Sequence, residues 1–244
     1  MNGLGCFSQG LGLILKPGLR QYVLIPLLIN VVVLSFFIGY GIAQYDQWMA
    51  YIAGSLPDWA SFLSWVIGVL GLLVGFVILL YGFLIVGNII AAPFNAILSV
   101  KVEEYLSGRP LTSSTPFRLV VLRSVSREFI KLAYYLPRLL ALLILSIIPL
   151  FNAVAPFLWL AFGAWMMTIQ FADYAADNNE ISFSELRRRM ARNKLDALLF
   201  GTIAYVLVAI PLLNLILIPA AVAGGTVFWV EHLAEVPAEA VEHG

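Results

Sequence analysis

The chain has 244 residues, 61% hydrophobic and only 11% charged, with a mean hydropathy of +0.94. A soluble domain carries about 25% charge, so this composition excludes a soluble enzyme, a disordered chain and a disulfide-stapled secreted domain, and marks an integral membrane protein. Fourteen basic residues balance fourteen acidic ones without a polybasic tail, which argues against a nucleic-acid partner, and Cys6 alone can build neither an internal disulfide nor a multi-cysteine metal site.

Residues 1–21 lack the basic start and the small-residue cleavage site of a signal peptide. Phe7, Leu11, Ile14 and Leu15 recur at helical spacing, which predicts an amphipathic helix lying on the membrane. In Lys16-Pro17-Gly18-Leu19-Arg20 a Pro-Gly turn opens directly into the first span. Free N–H groups at a helix start favour a negative ligand, Gly18 lets it approach the backbone, and Arg20 offers two donors to a tetrahedral oxyanion. The competing reading is that Lys16 and Arg20 are ordinary membrane-end anchors.

The first span is 22–45, uncharged throughout, and roughly 20 apolar residues suffice to cross. Pro26 falls in its first turns, where a missing N–H is tolerated. Residues 46–61, with Trp48, Tyr51 and Trp59 and no Lys or Arg, read as an outer loop. The second helix is 62–100, with its best crossing at about Phe62–Ile90. Gly68, Gly71, Gly75 and Gly82 share one face of it and predict close helix packing. Residues 101–138 read as cytoplasmic helices: Lys101–Leu106 continues out of the span and stops at Ser107-Gly108, and Phe117–Leu136 carries a basic side.

Two further apolar segments, 139–172 and 197–230, are each 34 residues long. The first breaks at Pro149, Asn152 and Pro156, the second at Pro211, Asn214 and Pro219. Two crossings and a turn need roughly 44 residues, so half-membrane re-entrant hairpins fit better. A turn at that depth must be buried in protein or line a wet cavity, which favours a homo-oligomer. Between the hairpins, 173–196 holds Ser182-x-x-Glu185, a capping box ahead of a basic helix. Residues 231–244 form a tail. The whole, 1–244, reads as a single all-α membrane domain with two long transmembrane helices, two half-membrane hairpins and amphipathic cytoplasmic helices. All fourteen basic residues fall on one side of it, which the positive-inside rule makes cytoplasmic; a basic face there also suits anionic membrane lipid.

No catalytic constellation, phosphate loop, cofactor motif or metal-ligand spacing is visible, so an enzyme is not expected. Intramembrane amides are the alternative chemistry. Asn30, Asn88 and Asn95 are candidate pore residues and Glu103 a candidate gate, because such groups face a protein interior or a wet path; inter-helix hydrogen bonding explains each equally well when taken singly. Glu103 and Glu104 are also expected to pair with Arg109 or Arg123.

Two stretches together carry a family resemblance. One is Lys16–Arg20 running into Ile25-Pro26-Leu27-Leu28-Ile29-Asn30. The other runs from Asp173-Tyr174-Ala175-Ala176-Asp177-Asn178 through Glu185–Met190 to Ile210–Asn214, Pro219 and Gly224-Gly225-Thr226. In order and spacing they closely resemble the CysZ family of bacterial sulfate permeases, over nearly the whole chain. The resemblance implies sulfate uptake across the bacterial inner membrane by a multi-pass protein, channel-like or secondary, supplying sulfur for cysteine biosynthesis. Sulfite and related oxyanions are further candidate substrates. It maps the sulfate site onto Gly18, Leu19 and Arg20; some members carry a second Arg where this chain has Gln21. It gives Asp173–Asn178 as family-defining, with capping and pairing to Arg187–Arg189 as the expected role. The alternative function is a non-transporting scaffold that binds anionic lipid.

Overall fold

The computed structural model describes residues 1–57, 63–111, 117–210 and 213–234, with the side chains of 53, 84–85, 88–89 and 117–125 outside the description. Among the described residues the chain is helical, without strands: α1 (Gly3–Leu13), α2 (Gln21–Ser55), α3 (Leu63–Ser107), α4 (Phe117–Ile147), α5 (Ala155–Asn178), α6 (Phe183–Arg192), α7 (Lys194–Val208) and α8 (Asn214–Phe228). A 3-10 turn, Pro149–Phe151, links α4 to α5, and a π turn, Trp229–Leu233, follows α8. The chain divides into two compact units, Leu24–Phe94 and the remainder.

In the larger unit the core is built by α1, α5, α7 and α8, and glycine sets its geometry. A Cβ on Gly10 would collide with the backbone of Gly224 in α8; one on Gly3 would meet Asp196 and Phe200 of α7; one on Gly201 would strike the Ala164 carbonyl of α5. A Cβ on Gly225 would lie 2.6 Å from the Phe171 backbone. These helices therefore meet backbone to backbone. Phe7, Phe200 and Phe228 fill the space beside the contact, with the last two rings stacked 5.8 Å apart. The expected surface helix of residues 1–21 is thus corrected: Phe7 and Ile14 are buried in protein, not laid on lipid. Of the predicted stripe only Phe7 belongs to the buried face of α1, which is Gly3, Cys6, Phe7, Gly10 and Leu13 and meets α7 and α8; Leu11 is half-buried and Leu15 exposed beyond the helix.

The smaller unit is an antiparallel pair formed by most of α2 and α3. Gly68 packs on Met49, Gly41 faces Leu79, and Gly87 sits against Asn30. The glycine-face expectation holds only at Gly68, because Gly71, Gly75 and Gly82 have open space where a side chain would stand. The outer loop expected at 46–61 is helical as far as Ser55, and 58–62 lie outside the described residues. Pro26 and Pro93 both lie inside their helices, the latter next to the boundary between the two units. At its far end α3 stops as expected, at Ser107, with Gly108 at φ +66°.

Both expected breaks are present. The first hairpin turns between Ile147 and Ala155, the second between Val208 and Asn214, with Pro211 outside the described residues. Among the described residues five helices are long and apolar enough to cross a membrane: Gln21–Ile52, Leu63–Phe83, Ser126–Ile147, Ala155–Asn178 and Asn214–Leu233. The first hairpin departs from its expected length, because α4 runs unbroken from 117 through Pro137, merging the cytoplasmic helix with the hairpin arm. Arg127 and Lys131, charges that seemed to bar membrane depth, are buried and paired within the fold. The second hairpin keeps a short arm: the 15 residues of α7 rise about 22 Å, less than the roughly 30 Å hydrocarbon core.

The glycine contacts set the first test. Gly201→Ala should destabilise by about 1–3 kcal/mol or more through overpacking. Gly71→Ala and Gly82→Ala should be neutral or stabilising by up to about 1 kcal/mol. Thermal midpoints of the detergent-solubilised protein measure all three. Equal effects at 201 and 71 would refute the backbone-contact account.

Candidate functional site

The turn between α1 and α2 is fixed at both sides by burial. Leu13 and Ile14 close α1, and Leu19 and Val23 insert into the same core, leaving Lys16, Pro17, Gly18, Arg20 and Gln21 exposed between them. Gly18 adopts φ +90°, a conformation costly for any residue with a Cβ, and the space above it is open. The N–H groups of Leu19 and Arg20 both donate to the Lys16 carbonyl, at 3.1 and 3.0 Å. Those of Tyr22 and Val23 donate to Leu19 and Arg20. Among the described residues the N–H groups of Gly18 and Gln21 have no acceptor, so they are the turn's free backbone donors. Leu19 serves the turn by anchoring it, since its side chain is buried and its N–H is engaged.

The end of α3 lies beside this turn. Lys16 Nζ donates to the Tyr105 hydroxyl at 2.6 Å, and Lys101 stands one helical turn before Tyr105 on the same face. Lys101 pairs with Glu104 at 2.6 Å, and that ammonium holds the Glu104 carboxyl below its ordinary range. Glu104 Oε1 also accepts from the Leu111 N–H. Of the pairing expected for Glu103 and Glu104 with Arg109 or Arg123, the Arg123 side chain lies outside the described residues; among those described, Glu104 takes Lys101, three residues away. Arg20 meets no carboxylate among the described residues, so its guanidinium charge remains available.

The amide and gate candidates separate. Asn30 lies in the smaller unit, 2% exposed against Gly87, with an Oδ1 that has no hydrogen-bond partner. The Asn88 side chain lies outside the described residues. Asn95 and Glu103 do come together, at i and i+8 on one face of α3, with Ser99 completing the stripe. All three are buried and face α5: Tyr174 bonds Asn95, Asn178 donates to Ser99 at 3.3 Å, and Asn179 donates to Glu103 at 2.6 Å. Ser99 also meets Thr226 of α8 at 2.9 Å. Most of the stripe is thus engaged by side chains of α5, its C-cap and α8. The second oxygen of Glu103 is the exception: it faces the Trp229 indole, yet neither atom has a well-formed bond. Burial pushes the Glu103 carboxyl above its ordinary range.

Among the described residues Asp173–Asn178 pairs with α4 rather than with the expected Arg187–Arg189. Arg127 Nε donates to Asp173 at 2.7 Å and its Nη1 to the Ile181 carbonyl at 2.6 Å, with Asp177 at 3.5 Å. Lys131 pairs with Asp173 at 3.2 Å and with Glu128. The arginines of α6 look elsewhere: Arg188 and Arg189 pair with Glu185, whose N–H caps on Ser182. Residues 173–179 thus join α5 to α4 by charge and to α3 and α8 by amides and hydroxyls. Sequence reasoning missed Ser99 and Thr226, although Ser99 lies midway between Asn95 and Glu103 at the i+4 spacing that marks one helix face.

Residues 6–219 match the family model described as "Sulfate transporter CysZ/Etoposide-induced protein 2.4". The sulfate transporter CysZ of Pseudomonas aeruginosa is 42% identical over 238 residues, 96% of this chain and 97% of the relative. That of Pseudomonas syringae pv. tomato is 44% identical over 233 residues, 94% and 92% of the two chains. That of Pectobacterium atrosepticum is 38% identical over 233 residues, 94% and 85%.

Glu103 gives a pH test. The folded chain holds its proton more tightly than the unfolded chain, so this group's contribution to stability is fullest below about pH 4.5 and is lost as pH rises through the raised value. Glu104 and Glu185, both lowered, act oppositely, losing their contribution as pH falls. In Glu103→Gln the amide still accepts from Asn179. The gap between variant and wild-type thermal midpoints should therefore widen in the variant's favour from pH 4.5 upward. Parallel curves would show that Glu103 ionises without penalty.

Proposed function

Because the chain belongs to the sulfate transporter CysZ/etoposide-induced protein 2.4 family, we propose that it carries sulfate across the bacterial inner membrane, by channel-like or secondary transport, as the sulfur source for cysteine biosynthesis. The observation that carries this reading is likeness to proteins named sulfate transporter over nearly the full length of both chains. Five helices of membrane-crossing length and composition accord with it. Sulfite and related oxyanions share the charge and tetrahedral or pyramidal shape that the same donors would accept. The scaffold alternative is not favoured, since these relatives are all named as transporters.

Within that reading the Gly18–Arg20 turn captures the anion. Its support is physical: two unengaged backbone N–H groups, a left-handed glycine open to solvent, and an arginine fork without a carboxylate. Lys16, whose ammonium donates to the Tyr105 hydroxyl, adds positive potential. Gln21 offers an amide where some family members offer a second guanidinium, which lowers the local charge by one. Asn30, Asn95 and Glu103 are the proposed inner groups, and the buried stripe at Asn95–Glu103 would have to release its partners on the neighbouring helices for an ion to pass. The second hairpin, with its short α7 arm, is proposed as a half-penetrating element of a homo-oligomer, which would cover its turn.

The test is radiolabelled sulfate uptake in bacteria lacking other sulfate importers, alongside sulfate binding by the purified protein. A charge-assisted hydrogen bond contributes about 1.5–3 kcal/mol, so Arg20→Ala should weaken binding about 10-fold to 100-fold and reduce uptake correspondingly. Gln21→Arg should strengthen binding. Unchanged uptake and binding in Arg20→Ala would remove the turn from the pathway.

A further inference from the structure

Tyr134 of α4 carries two arginines on its ring. The guanidinium carbon of Arg138, one turn along α4, lies 3.6 Å from the ring centroid, and that of Arg187 on α6 lies 4.5 Å from it. Arg187 also covers Phe183 at 5.0 Å, and Phe183 meets Tyr134 edge-on at 5.6 Å. The Trp165 indole N–H donates to the Tyr134 hydroxyl at 3.2 Å, which ties the ring to α5. Two like charges are thereby held no farther apart than the sum of their distances to one ring.

Neither meets a carboxylate among the described residues. The acids on the neighbouring elements are engaged elsewhere: Glu128 with Lys131, Asp173 with Arg127 and Lys131, and Glu185 with Arg188 and Arg189. Arg138 gives one N–H to the Tyr134 carbonyl at 2.8 Å, and the Nε of Arg187 is buried with no acceptor. Each guanidinium has five donors in a planar fork, so most of this donor set is unused. An oxyanion between the two would relieve their repulsion and satisfy those donors together.

We propose that Arg138 and Arg187, mounted on Tyr134, bind a tetrahedral oxyanion, either the phosphate of an anionic lipid headgroup or a free sulfate or phosphate ion. The site is built from α4 and α6 and shares no residue with the Lys16–Arg20 turn.

Native mass spectrometry of the purified full-length protein tests this, after exposure to phosphatidylglycerol or phosphatidylcholine of matched chains, with radiolabelled sulfate binding measured in parallel. Wild type and the control Arg192→Gln should retain phosphatidylglycerol at least about fivefold over phosphatidylcholine, or bind one sulfate more than the double variant Arg138→Gln/Arg187→Gln. Loss of the lipid preference in the double variant identifies a headgroup; loss of one sulfate equivalent with lipid retention intact identifies a free ion. A double variant matching wild type in both measurements overturns the proposal. So does a wild type with neither lipid preference nor the extra equivalent. If the double variant elutes aggregated, Arg138→Gln alone, altered at an exposed position, decides: a loss of threefold or more is expected, and no change overturns the site.

Discussion

Much of the larger unit depends on helices that touch through backbone rather than side chains. Gly3 and Gly10 of α1, Gly201 of α7, and Gly224 and Gly225 of α8 stand where a single methyl would meet a carbonyl or an amide. Such contacts bring α1 into the core between α7 and α8, so the first residues of the chain are a central element. The anion turn inherits its position from them. With Leu13 and Ile14 on one side and Leu19 and Val23 on the other, all buried, the exposed residues between them are Leu15, Lys16, Pro17, Gly18, Arg20 and Gln21.

The second constraint is the neutralisation of charge inside an apolar fold. Arg127, Lys131 and Asp173 are each less than a tenth exposed, a burial that is costly unless every charge has a partner. Asp173 takes both cations, Asp177 and the Ile181 carbonyl take the remainder of Arg127, and α4 is clamped to α5. The next residues, Asn178 and Asn179, reach Ser99 and Glu103 of α3, and Ser99 passes the link to Thr226 of α8. A seven-residue stretch thus connects four helices, which is a physical reason for this segment to be distinctive in sequence without its touching a ligand.

What the sequence disclosed and what it hid follow from the range of each interaction. The Pro-Asn breaks, the stop at Ser107-Gly108 and the Ser182 cap are local rules of backbone geometry, and the structure has them where the residues stand. The fate of α1 is not local: an apolar stripe is equally suited to lipid and to protein, and only its glycines hinted at a backbone neighbour. Arg127 likewise reads as cytoplasmic because its partner is 46 positions away. At Gly71 and Gly75 the reverse error arises, since small-residue spacing announces a close contact that this chain does not itself supply.

Net zero charge therefore describes this protein poorly; the distribution of partners describes it better. Arg127, Lys131, Lys101, Arg188 and Arg189 have carboxylates within reach and are structural cations. Arg20, Arg138 and Arg187 have none among the described residues; buried neighbours anchor the backbone of Arg20, and an aromatic ring holds the guanidinium groups of the other two. A guanidinium loose in water attracts anions weakly, because ordering it costs entropy and salt screens it. One already fixed, with unused donors, has met much of that cost before the ligand arrives. In a chain with so few charges, the uncompensated arginines are where an oxyanion has most to gain, and the fold sets them at a helix start and on an aromatic ring.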